Sequence, residues 1–156
     1  MTTATILDLA RRKGVMVACA ESCTGGMVAA ALTDLAGSSA MFERGFVTYT
    51  NQAKTELLGV LPETLAKYGA VSEQVAQEMA AGTLARSQAA IAVATTGIAG
   101  PGGSEFKPEG RVCFGLATAA GVVAETVEFG PLGRDKVRQE ARDHALRLIL
   151  AALERL

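Results

Sequence analysis

Three short segments of the 156-residue chain hold the side chains that could do chemistry: AESCTGG at 20–26, YTNQAK at 49–54 and TTGIAGPGG at 95–103. Each begins where an apolar, strand-like run ends. In the first, Ser22 precedes Thr24, Gly25 and Gly26 at a strand-to-helix turn. The unpaired N–H groups of a helix start can hold a developing oxyanion, so the position suits a nucleophile. A serine nucleophile needs a base, and the chain has one histidine, His144. It falls in a helical stretch beside an apolar stripe and reads as a partly buried structural residue. A Ser–His–Asp triad is therefore disfavoured, which leaves a lysine.

Lys54 is the candidate base. With Asn51 as N-cap, Lys54 takes the third helical position, where the helix dipole disfavours a cation. That field, with burial, would lower its pKa toward the neutral form that accepts a proton from Ser22. Moving a lysine from about 10.4 to about 7.5 takes roughly 4 kcal/mol. Tyr49, just before the turn, is placed to relay a proton or position the base. The plainer readings are Ser22 as an N-cap without chemistry and Lys54 as an exposed lysine.

The TGIAGPGG segment lacks the Gly-Lys-Ser/Thr ending of a P-loop, and Pro101 removes one donor. A glycine-rich loop after a buried strand still suits close backbone approach to a ligand, an ordinary turn being the alternative. Arg134, Lys136 and Arg138 crowd the start of the last helix, where cations are unfavourable without an anion. A phosphate held by Arg134 or Arg138 would resolve the conflict. A solvated cluster offset by Asp135 and Glu140 would do so as well.

These groups need a scaffold, and hydrophobic periodicity supplies one. Residues 3 to 13 read as a helix closed by Gly14, and 15–20 as a buried strand. A helix from Thr24 or Gly25 to Ala36 follows, then a strand over FVTYT at 46–50. Asn51 opens a helix that runs to Gly59, Pro62 starts a short one, and Ser72 caps a longer one. A third strand covers 89–95. Arg111 to Ala119 and Val122 to Phe129 form a hairpin, and a final helix carries its apolar stripe from Val137 to Leu156. The order predicts a three-layer α/β domain with a sheet of about five strands, parallel at first and mixed by the late hairpin. In such sheets ligands bind at the carboxyl edge, where the three segments would converge on one composite site.

Composition narrows the function. Aromatic residues make up 4% with no Trp, and the net charge is −1. There is neither a stacking platform nor a basic footprint for nucleic acid. No apolar stretch is long enough to span a membrane. Three cysteines (Cys19, Cys23 and Cys113) without a signal peptide read as reduced thiols of a cytoplasmic protein, and the ligand count is too low for zinc.

The chain resembles the CinA C-terminal domain family, which includes nicotinamide-nucleotide amidases. The likeness rests on AESCTGG (20–26), GSS (37–39), VTYTNQAK (47–54) with LLGV (57–60), GAVS (69–72) and TTGIAGPGG (95–103). It covers essentially the whole chain, read as one domain over 1–156. The resemblance implies a three-layer α/β/α fold with a mixed, mostly parallel five-stranded sheet and a C-terminal β-hairpin plus helix. It implies hydrolysis of the carboxamide of nicotinamide mononucleotide to nicotinate mononucleotide and ammonia, with neither metal nor cofactor. By motif, Ser22 becomes the nucleophile, and Lys54 with Tyr49 the base and its helper. Thr24, Gly25, Thr96 and Gly97 would hold the amide or its oxyanion. Gly26, Asn51, Ala99, Gly100, Arg134 and Arg138 would be further substrate-binding positions.

The chain departs from the family pattern in two places. The Gly-Asp-Arg triplet expected before the last helix is replaced by the stretch from Phe129 to Arg134, with Gly133 in place of Asp and one extra residue. Glu109 stands where Val is common and reads as a surface change. The chain lacks the N-terminal domain of the longer members, so the stand-alone form is expected, as a homo-oligomer such as a dimer. The rival reading is a non-catalytic nucleotide-binding or regulatory module. Cys23 reads as a packed bystander, and Glu21 has no role.

Overall fold

The computed structural model describes residues 2–156. The apolar runs become the strands β1 (Val17–Glu21), β2 (Phe42–Val47), β3 (Ile91–Gly97), β4 (Arg111–Thr118) and β5 (Gly121–Glu128). They form one sheet in the order β2-β1-β3-β4-β5. β1 pairs in parallel with both β2 and β3, whereas β3–β4 and β4–β5 are antiparallel. Only β4 therefore runs against the other strands. The helices are α1 (Thr2–Lys13), α2 (Met27–Leu32), α3 (Asn51–Leu58), α4 (Pro62–Tyr68), α5 (Glu73–Ala85) and α6 (Arg134–Arg155).

Alternation along the strands sorts residues by size onto the two faces of the sheet. Val17, Cys19, Ile91, Val93, Val112 and Phe114 pack with Ile6 of α1, Val28 and Leu32 of α2, and Val137, Ala141 and Ile149 of α6. On the other face, Ala20, Ala92, Ala94 and Ala117 meet Leu58 of α3 and Val75, Met79 and Ala80 of α5. The small residues let α5 lie close to the sheet. A Cβ added at Gly115 would sit 2.1 Å from the carbonyl oxygen of Ala76. The result is the three-layer α/β/α architecture with a mixed sheet.

Among the boundaries that differ from the sequence reading, those of β2, α3 and α2 do so for a local reason. β2 begins at Phe42, four residues before the 46–50 run, and stops at Val47. It is an edge strand, and an edge tolerates the polar Glu43 and Arg44 that mask it in the sequence. The N-cap of α3 is Thr50, whose hydroxyl accepts the Ala53 N–H at 3.0 Å. Asn51 is thus the first helical residue and Lys54 the fourth. α2 ends at Leu32, well before Gly37, because the Thr33 hydroxyl donates to the Ala29 and Ala30 carbonyls at 2.9 and 3.0 Å. A side-chain donor there satisfies last-turn carbonyls and competes with further helix.

Parallel register builds the functional edge. Glu21 lies opposite Val47 on one side and Thr95 on the other. The ladder continues one step further, with Ser22 N–H donating to the Thr95 carbonyl (3.0 Å) and Thr48 N–H to that of Glu21 (2.9 Å). The segments after β1, β2 and β3 therefore emerge side by side. α2 and α3 then pack on opposite faces of the sheet, and such a divergence opens a crevice at the strand ends.

Candidate active site

Ser22 is the first residue after β1 and is buried. Its Oγ lies 3.0 Å from Nζ of Lys54. The same Nζ donates to the carbonyls of Thr48 at 2.8 Å and Tyr49 at 3.1 Å. Lys54 is only 1% exposed, and burial lowers its pKa from 10.5 to about 8, partly opposed by the nearby Cys23. The three contacts account for the three donors of an ammonium. Once a proton is lost, two N–H groups can stay on the carbonyls while the lone pair faces the serine hydroxyl. This arrangement can do general-base chemistry.

A cavity of about 330 Å³ opens on this pair, lined also by Cys23, Tyr49, Thr96, residues 97–105 and Arg134. Its size falls in the range of small-molecule sites. The Cys23 thiol is pushed up to about 12, chiefly by burial, so it does not compete with Ser22 as a nucleophile. Gly97 is required by close approach. A Cβ there would stand 2.7 Å from Val112 Cγ2, 3.0 Å from the Arg111 carbonyl oxygen and 3.1 Å from Cys23 Sγ. Arg134 reaches the mouth of the cavity, donating through Nη1 to the Gly100 carbonyl (2.7 Å) and through Nη2 to the Tyr49 hydroxyl (3.0 Å).

Of the positions singled out in the sequence, Ser22, Tyr49, Lys54, Thr96, Gly97, Ala99, Gly100 and Arg134 meet at this cavity. The others lie outside its lining. The Thr24 hydroxyl points inward, donating to Glu21 Oε1 at 2.6 Å and lying 2.8 Å from that of Thr95. Gly25 gives its N–H to the Ser22 carbonyl at 3.0 Å, and Gly26 is the left-handed N-cap of α2. Asn51 is exposed at the start of α3. Arg138 donates to the Cys23 carbonyl (3.0 Å) and the Thr24 carbonyl (3.4 Å), bracing the turn that carries Ser22. The Tyr49 hydroxyl is taken by Arg134, so this residue touches the lysine amine through its carbonyl. His144 is structural, 4.5 Å from the Phe114 ring and 2.6 Å from Glu125 Oε1.

Two carboxylates have roles that the sequence reading did not assign. Glu21 is buried, and its oxygens accept the N–H groups of Val28 (2.8 Å) and Ala29 (3.0 Å), together with the Thr24 hydroxyl. It caps α2 from within β1, because Gly26 has no side chain to do so. The signal was there: a helix start at Gly-Gly leaves donors that need an acceptor from elsewhere. Replacing Glu21 by Gln turns an NH₂ toward one of these N–H groups. The unfolding free energy should fall by about 1–3 kcal/mol in urea titrations, and an unchanged midpoint would contradict the capping role. Glu109 is no mere surface change: its carboxylate joins Gly102 N–H (2.7 Å) to Gly133 N–H (2.9 Å).

Among the described residues, no group of three His, Cys, Asp or Glu is placed to hold a metal ion, and no helix is long and apolar enough to cross a membrane. Comparison with known proteins gives the kinship. The chain is 54% identical over 140 residues to the nicotinamide-nucleotide amidohydrolase PncC of Escherichia coli K12, covering 89% of this chain and 85% of that protein. It is 59% identical over 114 residues to a CinA-like protein of Chloroherpeton thalassium, of which it spans only 27%. Among solved structures, the competence/damage inducible protein CihA of Agrobacterium tumefaciens matches with a TM-score of 0.86 and 50% identity over 96% of each chain. The competence damage-inducible protein A of Klebsiella pneumoniae matches with a TM-score of 0.94 and 37% identity, over 98% of this chain and 95% of that one. The family described as CinA C-terminal domain matches residues 1–153, and the chain belongs to it.

Proposed function

We propose that this protein hydrolyses the carboxamide of nicotinamide mononucleotide, giving nicotinate mononucleotide and ammonia through an acyl-enzyme on Ser22. The observation that carries the reading is the Lys54 amine, buried on two carbonyls and 3.0 Å from the Ser22 hydroxyl at the floor of a cavity. The substrate class comes from the Escherichia coli relative. Ser22 Oγ attacks the amide carbon while its proton passes to Lys54 Nζ. The C–N bond then breaks, and Lys54 returns the proton to the departing nitrogen, which leaves as ammonia. Water, deprotonated by the same amine, cleaves the ester and restores both groups.

The oxyanion falls to the N–H of Cys23, which lines the cavity, since that of Gly25 is spent on the Ser22 carbonyl and Thr24 is fully buried outside the lining. Arg134, at the cavity mouth, holds the phosphate. Arg138 serves the nucleophile turn instead.

Ammonia release from nicotinamide mononucleotide and from free nicotinamide tests the proposal. The expected result is turnover that resists chelators and favours the nucleotide by on the order of tenfold or more in kcat/KM, the worth of a charge-assisted phosphate contact. Preference for the free base would remove the phosphate role of Arg134. Thermal stabilisation by the nucleotide without ammonia would favour a binding module.

A further inference from the structure

Glu109 stands in the connection between β3 and β4, half-buried, and lies outside the lining of the cavity. Its two oxygens are divided between two segments distant in sequence. Oε1 accepts the N–H of Gly102 in the glycine-rich loop at 2.7 Å, and Oε2 accepts that of Gly133 at the start of α6 at 2.9 Å. The same two segments meet again one step away, where Arg134 Nη1 donates to the Gly100 carbonyl at 2.7 Å. Gly100 makes room for this arrangement. With φ at +94°, a Cβ there would fall 2.6 Å from Glu109 Cδ.

The connection that Glu109 anchors would otherwise be loose. Gly130 and Gly133 both have positive φ, residues 131–134 are exposed, and α6 has no side-chain N-cap. Arg134 is the first residue of α6, so any freedom at Gly133 swings its guanidinium directly.

We propose that Glu109 is a positioning residue: by clamping Gly102 to Gly133 it fixes Arg134 at the mouth of the cavity and sets the affinity for the anionic end of the substrate. The inference rests on the proposed function for its substrate. Its physical content is an opposition of signs. Glu109 is a negative charge beside an anion site, so charge alone predicts tighter nucleotide binding once it is neutralised. Clamping predicts the reverse.

Glu109→Gln separates the two with almost no change in volume. The amide can accept one of the two N–H groups but presents NH₂ to the other. The KM for nicotinamide mononucleotide should rise about tenfold while kcat changes by less than about threefold, since the Ser22–Lys54 pair is untouched. An unchanged or lower KM would overturn the proposal. A matched ¹⁵N NMR comparison of wild type and variant reads the clamp without turnover. The Gly102 and Gly133 amide signals should move, and the Arg134 guanidinium signals should lose the dispersion of a held side chain. Unaltered Arg134 signals would sink the clamp whatever the enzyme hydrolyses. A wild type that releases no ammonia would instead sink the proposed function, leaving the clamp to be judged by these spectra.

Discussion

Ser22→Ala should lower ammonia release from nicotinamide mononucleotide by a factor of about 10³ or more, with the protein still folded. The substitution removes one oxygen from a buried position and leaves the rest of the site in place. Lys54 keeps its donations to the Thr48 and Tyr49 carbonyls, so the amine is still held. Leaving one buried Lys54 donor without its acceptor costs about 1–3 kcal/mol, too little to unfold a domain of this size. Activity should therefore disappear without a matching fall in thermal stability. The alternative mechanism, direct attack of water activated by Lys54, would leave substantial turnover in this variant. Retained activity would end the role of Ser22 as nucleophile.

Lys54→Met should have an effect of similar size on turnover, and its pH behaviour identifies the cause. In the wild type, the serine is activated only by the neutral amine, whose pKa burial lowers to about 8. kcat/KM should rise with pH below about 8 and level off above it. The same shift appears in stability. The unfolded chain holds the Lys54 proton up to 10.5, whereas the folded protein releases it from about 8. The unfolded state thus binds more protons between these values, and folding stability increases with pH across that window. Below it, the buried ammonium costs the fold about 3 kcal/mol. The difference in urea unfolding free energy between wild type and Lys54→Met should grow in favour of wild type from pH 8 to 10.5. A flat difference would mean that the lysine keeps its ordinary pKa, and the general-base assignment would fall with it.

The two carboxylates show what such a site needs beyond its reacting groups. Glu21 binds the start of α2 and the Thr24 hydroxyl, while Arg138 binds the Cys23 and Thr24 carbonyls from outside. The turn carrying Ser22 is held from both sides. Glu109 performs the matching task for Arg134. In all three cases the charged side chain acts on backbone groups of another segment, and none need touch the reacting atoms.

By itself the sequence determined the kinds of element and the edge at which the site forms. Apolar runs such as IAVAT at 91–95, β-branched at alternate positions and followed by a glycine-rich loop, read as buried strands, and the polar and glycine-rich segments that follow three such runs share an edge when the strands are parallel. It also pointed to a serine and a lysine, by leaving no usable histidine. The tertiary structure decided the contacts that depend on register and on backbone atoms. The distance of 3.0 Å between Ser22 and Lys54, 32 residues apart, follows from the pairing of β1 with β2 and the placing of α3 on Thr50. It also turned the Tyr49 hydroxyl to Arg134 and sent Arg138, one helical turn beyond, to the Cys23 and Thr24 carbonyls. Side-chain periodicity records which face is buried. Backbone N–H and C=O groups are the same at every residue, so no pattern of residue types reveals which of them a distant carboxylate or guanidinium will meet.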